Sequence, residues 1–136
     1  MTFTLHPQLA ADTVPVGDLP LCRVLLANDA NYAWLVLVPR QPDIVELLDL
    51  TAADRATLSA EIDAAARALK ATVPCDKLNV AALGNMVPQL HVHVIARRRD
   101  DPAWPKPLWG AVPATAYNPA ARDSLVTALR RELGVN

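Results

Sequence analysis

Near the middle of the chain lies Gln89-Leu90-His91-Val92-His93-Val94-Ile95-Ala96-Arg97, in which polar and apolar residues alternate. This alternation predicts a β-strand, because successive side chains of a strand point to opposite faces of the sheet. The polar face of the strand would carry Gln89, His91, His93 and Arg97, and the apolar face Leu90, Val92 and Val94. The two imidazoles would lie about 7 Å apart along the backbone. Both rings could therefore reach one small anionic group.

The composition predicts a single folded domain, residues 1–136. Hydrophobic residues make up 52% of the chain and charged residues 20%, and a chain of this length can bury roughly two thirds of its unfolded surface. The formal net charge of -1 provides no basic field for long nucleic acids or anionic membranes, although a single nucleotide needs only local donors.

Neither a signal-peptide pattern nor a membrane span of about 20 apolar residues is recognisable in the sequence. We therefore expect a cytoplasmic protein that does not enter a membrane. Cys22 and Cys75 lie far apart and form no CxxC pair, which indicates buried free thiols and not a zinc or redox site.

Two further strands and a long helix are predicted before the histidine stretch. Residues 21–27 and 33–38 are rich in Leu and Val, and the turn residues Asn28-Asp29-Ala30-Asn31 between them indicate a β-hairpin. Thr51 is a suitable helix N-cap, and apolar residues at helical spacing predict a helix over residues 52–71. The first twenty residues include three prolines and a glycine, so we expect an irregular arm with at most a short strand over residues 3–5.

The rest of the chain completes an α+β domain. Residues 77–83 and 89–97 predict antiparallel neighbouring strands with Gly84 between them, and the proline-rich residues 98–118 form no regular element. Asn118-Pro119 begins a C-terminal helix that Gly134 ends. The predicted fold is an antiparallel sheet of about five strands, with the Thr51 helix packed across it and a second helix at the C-terminus.

More of the chain joins the histidine stretch in one recognisable pattern. The additional segments are Leu78-Asn79-Val80 and Gly84-Asn85-Met86-Val87 upstream, and Trp104-Pro105 and Trp109-Gly110 downstream. Over residues 21–110 the sequence resembles the histidine triad (HIT) family of nucleotidyl hydrolases and transferases. The signature of that family is His-apolar-His-apolar-His followed by two apolar residues, and Gln89 stands at the position of its first histidine.

The resemblance implies a reaction at the α-phosphate of a nucleotide derivative, without a metal or another cofactor. His91 would attack phosphorus and form a nucleotidyl-histidine that water or another acceptor then cleaves, while His93 would bind phosphate oxygens. Imidazole suits this role because its usual pKa of about 6.5 leaves it neutral and nucleophilic near pH 7. Members of the family form homodimers, so we expect one here. Nothing in the sequence selects the leaving group.

Gln89 is expected to orient a phosphate oxygen or a neighbouring ring. An amide offers donors and an acceptor, but it cannot carry a proton as imidazole does. If the reaction requires proton transfer at this position, Gln89→His should raise the activity.

Four more residues are candidate nucleotide ligands by resemblance. Asn28 would bind ribose hydroxyls, although an ordinary turn residue is an equal alternative. Asn79, Gly84 and Asn85 correspond to positions that contact the phosphates. Gly84 would let the backbone approach the ligand because it lacks a Cβ, or would serve only as a turn.

Three alternatives to catalysis remain open at this level. The chain could be a nucleotide-binding protein with little turnover, or His91 and His93 could be two ordinary surface histidines. They could also bind zinc, iron or copper, with His6, Asp100 or Asp101 as the candidate partners. Arg97 could attract phosphate or form a solvated strand end, and Trp104 and Trp109 could cover the pocket or pack at a dimer interface.

Overall fold

A five-stranded antiparallel sheet forms the centre of the computed structural model, which describes residues 2–136. The order of strands across the sheet is β1-β2-β3-β5-β4. The strands are β1 (Thr13–Asp18), β2 (Cys22–Ala27), β3 (Ala33–Pro39), β4 (Lys77–Ala81) and β5 (Val92–Arg97). The predicted α+β fold, the hairpin of β2 with β3 and the pairing of β4 with β5 are confirmed.

Three α-helices accompany the sheet: α1 (Pro7–Asp12), α2 (Ala52–Thr72) and α3 (Pro119–Leu133), with a 3₁₀ turn at Leu47–Asp49. Helix α2 begins where Thr51 Oγ1 accepts a hydrogen bond from the Asp54 N–H at 3.1 Å, as expected of an N-cap. Helix α3 begins after the cap Asn118 and ends at Gly134, whose φ of 70° is left-handed. Both predicted helices are therefore confirmed. None of the helices within residues 2–136 combines the length and apolar character needed to cross a bilayer.

The main core lies between one face of the sheet and helices α2 and α3. Strand β5 contributes Val92, Val94 and Ala96 to this core, and α2 contributes Leu58 and Leu69. The opposite face of the sheet carries smaller apolar clusters, built around Leu25 and Val36 and around Tyr32 and Ile95. Because residues alternate along β5, His91 and His93 belong to this second face, which leaves them outside the main core.

The N-terminal residues are more regular than the sequence predicts. The expected strand over residues 3–5 is wrong, and the expected irregular arm instead contains α1 and the edge strand β1, which pairs with β2. Pro15 is compatible with β1 because an edge strand can leave one side unpaired, and the pairing register shifts between Pro15 and Gly17. The histidine strand is also shorter than predicted, since β5 begins at Val92.

Candidate active site

A cavity of about 560 Å³ opens on the face of the sheet opposite α2, within the usual size range for small-molecule sites. Its floor is formed by side chains of β3 and of the histidine stretch: Trp34, Val36, His91 and His93. Three further segments supply the walls: Leu9, Ala11, Asp12 and Thr13 of α1 and β1, residues 27–29 at the end of β2, and residues 83–87 after β4. Trp109 and Ala114 from the proline-rich loop complete it.

The hydrogen bond of His91 decides which of its ring nitrogens is free. His91 Nδ1 lies 2.7 Å from the main-chain oxygen of Gln89. A carbonyl oxygen can only accept, so the hydrogen is on Nδ1 and the Nε2 of the neutral ring keeps its lone pair. His91 is 7% exposed and lines the cavity. His91 therefore presents a nucleophilic nitrogen on a fixed ring.

His93 has the opposite tautomer. The indole N–H of Trp34 donates to His93 Nδ1 at 2.9 Å, and because indole is only a donor, the hydrogen of neutral His93 must be on Nε2. Burial, and secondarily the neighbouring His91, lower the pKa of His93 from 6.5 to about 4. His93 is therefore neutral at physiological pH and offers one N–H donor.

The two rings offer complementary groups: Nε2 of His91 carries a lone pair, and Nε2 of His93 carries an N–H donor. Their centroids lie 5.0 Å apart with an interplanar angle of 76°. The ring of Trp109 contacts His93 edge to face, at a centroid distance of 5.0 Å, and covers it from the side of the proline-rich loop. This arrangement can attack an electrophile with one ring and hydrogen-bond its oxygen with the other.

Comparison with known proteins shows the family of the chain. A family model described as the HIT domain matches residues 8–100. The chain belongs to the histidine triad family. This is a superfamily of nucleotide-binding hydrolases and transferases, in which some members only bind nucleotides.

Solved structures of bacterial HIT proteins match nearly the whole chain. A histidine triad protein from Bradyrhizobium japonicum is 52% identical, with a TM-score of 0.96 over 98% of this chain and 99% of that one. Histidine triad proteins from Sinorhizobium meliloti and Marinobacter aquaeolei are each 43% identical, with TM-scores of 0.93 and 0.94. The match to the Sinorhizobium meliloti protein covers 96% of this chain and 97% of that one. The match to the Marinobacter aquaeolei protein covers 98% of each chain. No curated protein matches the chain.

Three of the four candidate nucleotide ligands lie on the cavity of this HIT domain. Asn28, Gly84 and Asn85 line it, and Gly84 has a left-handed φ of 73°, which favours glycine. Asn79 does not line the cavity: its side-chain oxygen accepts from Arg97 Nη1 at 2.9 Å. The position of Asn79 therefore does not support the expected phosphate contact.

Gln89, at the first position of the HIT signature, also lies outside the lining residues. Its main-chain oxygen, and not its amide, orients the neighbouring His91 ring. The amide group is bonded to the main chain at Thr4 and His6. The side chain thus contacts the N-terminal segment, and not a phosphate site or a neighbouring ring as the sequence predicts.

Arg97 is neither a phosphate ligand nor a solvated strand end, the two roles expected from the sequence. Arg97 is 1% exposed and donates through Nε and Nη2 to Asp101 at 2.7 and 3.0 Å, and Trp104 stacks on its guanidinium. The Arg97 hydrogen bonds lower the pKa of Asp101 to about 2. This buried ion pair makes Arg97 a structural residue, unavailable to phosphate.

The residues proposed as further metal ligands do not join the two histidines. His6 Nδ1 caps α1 by accepting from the Gln8 N–H at 3.0 Å, and Asp101 is paired with Arg97. Within residues 2–136, no three side chains of His, Cys, Asp or Glu are grouped so that they could hold a metal ion.

Trp34, which sets the tautomer of His93, is not among the site residues predicted from the sequence. A signal was present, because Trp34 is the only aromatic residue in an otherwise aliphatic strand, Ala33–Pro39. Its pairing with β5 places it beside Ile95, two register positions from the Val36–His93 pair and on the same face of the sheet. That proximity depends on the strand pairing and could not be read from local spacing.

Proposed function

We propose that this HIT protein hydrolyses or transfers at the α-phosphate of a nucleotide derivative, through a nucleotidyl-histidine formed on His91 Nε2. The opposite tautomers of His91 and His93 on the cavity floor carry this proposal. One ring offers a lone pair to phosphorus and the other offers an N–H to the phosphate oxygens, where negative charge develops.

The cavity suits a nucleoside with a single reacting phosphate. Leu9, Val36 and Trp109 provide apolar surface for a base, and Asn28, which is exposed to solvent, would bind the ribose hydroxyls. None of the described lining residues is Lys or Arg, so the phosphate would be held by neutral donors from His93, Asn85 and the backbone at Gly84. Such a site favours a substrate of low charge over a triphosphate.

The reaction proceeds in two displacements. The Nε2 lone pair of His91 forms a bond to phosphorus, and the bond from phosphorus to the leaving group breaks. The leaving group takes the bonding electrons and is protonated by water. The Nδ1–H of His91, held on the Gln89 carbonyl, shares the positive charge of the ring. Water or another acceptor then attacks phosphorus, loses a proton and returns His91 to its neutral form.

Mass spectrometry of the intact protein tests the proposal, with adenosine 5′-phosphoramidate as the probe. The wild-type protein should gain one adenylyl group during turnover, located on His91 by peptide mapping. The His91→Ala variant should lack the adduct and lose at least about a thousandfold in kcat. Its affinity for AMP, measured by calorimetry, should stay within about threefold because His91 faces the cavity and not the core.

Other outcomes would contradict the proposal. Unchanged turnover by His91→Ala would exclude His91 as the nucleophile. AMP binding by the wild type without any adduct or hydrolysis over a panel of phosphoramidates, acyl phosphates and dinucleotides would identify the alternative, a binding protein. Stoichiometric zinc, iron or copper in the purified protein would favour the metal-binding alternative.

We also propose that the protein works as a cytoplasmic homodimer joined through the β4 edge of the sheet. Strand β4 has an unpaired edge and exposes 52% of Val80. Leu48 and Leu83, 76% and 54% exposed, line a shallow apolar depression beyond the end of this strand. Exposed apolar side chains at and near an open sheet edge are typical of an interaction surface.

A further inference from the structure

The amide of Gln89 bridges two main-chain groups of the N-terminal segment. Gln89 Oε1 accepts from the His6 N–H at 2.8 Å, and Gln89 Nε2 donates to the Thr4 oxygen at 2.9 Å. The two contacts span 83 and 85 residues of sequence. The amide oxygen and the amide nitrogen of Gln89 are therefore both hydrogen-bonded to the same stretch of backbone. A neighbouring β-strand would pair with that backbone in a similar way.

The bridged segment leads directly into a wall of the cavity. His6 is the N-cap of α1, and Leu9, Ala11 and Asp12 of this helix line the cavity. Leu9 is 6% exposed and packs on the same face of the sheet as Val36.

The far end of this wall is tied to a candidate ligand. The Asp12 oxygen accepts from the Asn28 N–H at 2.9 Å, and the Ala11 oxygen faces the Asn28 amide at 3.5 Å. Gln89 is thus hydrogen-bonded to the N-terminal end of this segment, and Asn28 is hydrogen-bonded to its C-terminal end.

An amide suits this bridge better than an imidazole does. It carries its acceptor and donor on one carbon, and neither is lost by titration near neutral pH. A histidine at this position would have its two nitrogens on different edges of a ring, and protonation would remove the acceptor. The Gln89 side chain therefore matches two main-chain groups that are two residues apart in sequence.

We propose that Gln89 is a positioning residue whose amide latches residues 4–12 over the cavity, so that this segment forms a wall against the nucleoside. This inference rests on the proposed function for the identity of the ligand and assigns Gln89 an architectural role in that site. This architectural role differs from ring orientation and from proton transfer, the two roles that the position of Gln89 in the signature suggests.

Kinetics, AMP affinity and hydrogen–deuterium exchange on Gln89→Ala test the latch. The KM for adenosine 5′-phosphoramidate and the Kd for AMP should both rise about tenfold, as expected for the loss of two hydrogen bonds. The kcat should stay within about threefold, because the tautomers of His91 and His93 do not depend on the amide. Main-chain exchange over residues 4–12 should become faster.

Two further variants separate the latch from other roles. Gln89→Glu keeps the acceptor for His6 but loses the donor to Thr4 at neutral pH, so its KM should lie between those of the wild type and Gln89→Ala. Gln89→His should raise KM without raising kcat. The matched control is Gln41→Ala, which removes an amide bonded at 2.8 Å to Asp54, the residue near the start of α2. It should change neither KM nor the exchange of residues 4–12.

Three results would overturn the latch. One is unchanged exchange and KM in Gln89→Ala. Another is a parallel fall of kcat and thermal stability in that variant, which would indicate a general structural role. The third is a higher kcat with unchanged KM in Gln89→His, which would show a proton role. If the wild type neither binds AMP nor turns over, the proposed function fails, and the exchange measurement alone still decides whether Gln89 holds the segment.

Discussion

Two hydrogen bonds determine what each imidazole can do in this site. Trp34 donates to His93 Nδ1, and the Gln89 carbonyl accepts from His91 Nδ1. Without these partners the two neutral tautomers of each ring would exchange, and only part of the population would present a lone pair beside an N–H. The proposed roles of nucleophile and donor therefore depend on two residues that do not themselves react.

Replacing Trp34 by Phe should lower kcat by about tenfold. Phenylalanine keeps an aromatic ring near Trp109 but removes the indole N–H that donates to His93 Nδ1, and a lost hydrogen bond of about 1 kcal/mol is enough to redistribute the tautomers. The kcat and the ¹⁵N chemical shifts of the His93 ring check this together.

Trp104→Phe serves as the control for that variant. Trp104 stacks on Arg97 at 5.8 Å and does not line the cavity, so its replacement should leave kcat and the His93 shifts unchanged. A Trp34→Phe variant with the kcat and His93 tautomer of the wild type would disprove the role given to the indole.

At the scale of elements, strand β5 joins the site to the core. Its helix-side residues Val92, Val94 and Ala96 are buried against α2 and α3, whereas His93 faces the cavity. The strand ends in the buried ion pair of Arg97 with Asp101, whose carboxylate also accepts from the main-chain N–H groups of Arg98, Ala103 and Trp104. This cluster anchors β5 to the proline-rich loop that carries Trp109.

Asp101→Asn should lower the free energy of unfolding by about 3 kcal/mol, measured by urea denaturation. The substitution leaves the buried Arg97 guanidinium without its counter-charge, and breaking one partner of a buried pair is costly. The control is Asp100→Asn, whose pairing with Arg98 at 3.3 Å is exposed to solvent. Its loss should change the free energy by less than about 1 kcal/mol. Equal effects of the two substitutions would show that burial of the pair contributes nothing.

At the scale of the whole molecule, the two edges of the sheet differ. Strand β1 carries Pro15 and a break in its pairing register, both of which discourage pairing with another chain. The β4 edge carries neither feature and exposes Val80. These differences favour β4 as the edge through which two copies would join.

Sedimentation velocity should therefore find a dimer of the wild-type chain at micromolar concentration, and a monomer for Val80→Lys. A lysine on an open edge opposes edge-to-edge pairing because it introduces charge into the contact. Val112→Lys is the matched control, since Val112 is also exposed (38%) but belongs to the proline-rich loop. A dimeric Val80→Lys variant would place the contact elsewhere, and a monomeric wild type would exclude the dimer.

The local periodicity of the sequence was sufficient to predict most of the architecture. Alternation in residues 89–97 and helical spacing in residues 52–71 determined the histidine strand, its two faces and helix α2, because both patterns arise from the geometry of a single element. The caps Thr51 and Asn118 determined where the helices begin for the same reason. The N-terminal α1 and β1 were missed because their prolines and polar residues weaken that local signal, and pairing with β2 stabilises the strand.

Tertiary structure alone decided how individual side chains are used. The partners of Gln89 are Thr4 and His6, the partner of His93 is Trp34, and Asn79 is bonded to Arg97. In each case the residues lie far apart in sequence and meet only after the strands pair and the loops close. A hydrogen bond depends on a few ångströms of distance and on direction, and neither quantity is encoded in the spacing of residues along one strand. The sequence therefore determined the fold and the histidine pair, while packing selected the tautomers, the buried position of Arg97 and the wall that the N-terminal segment adds to the cavity.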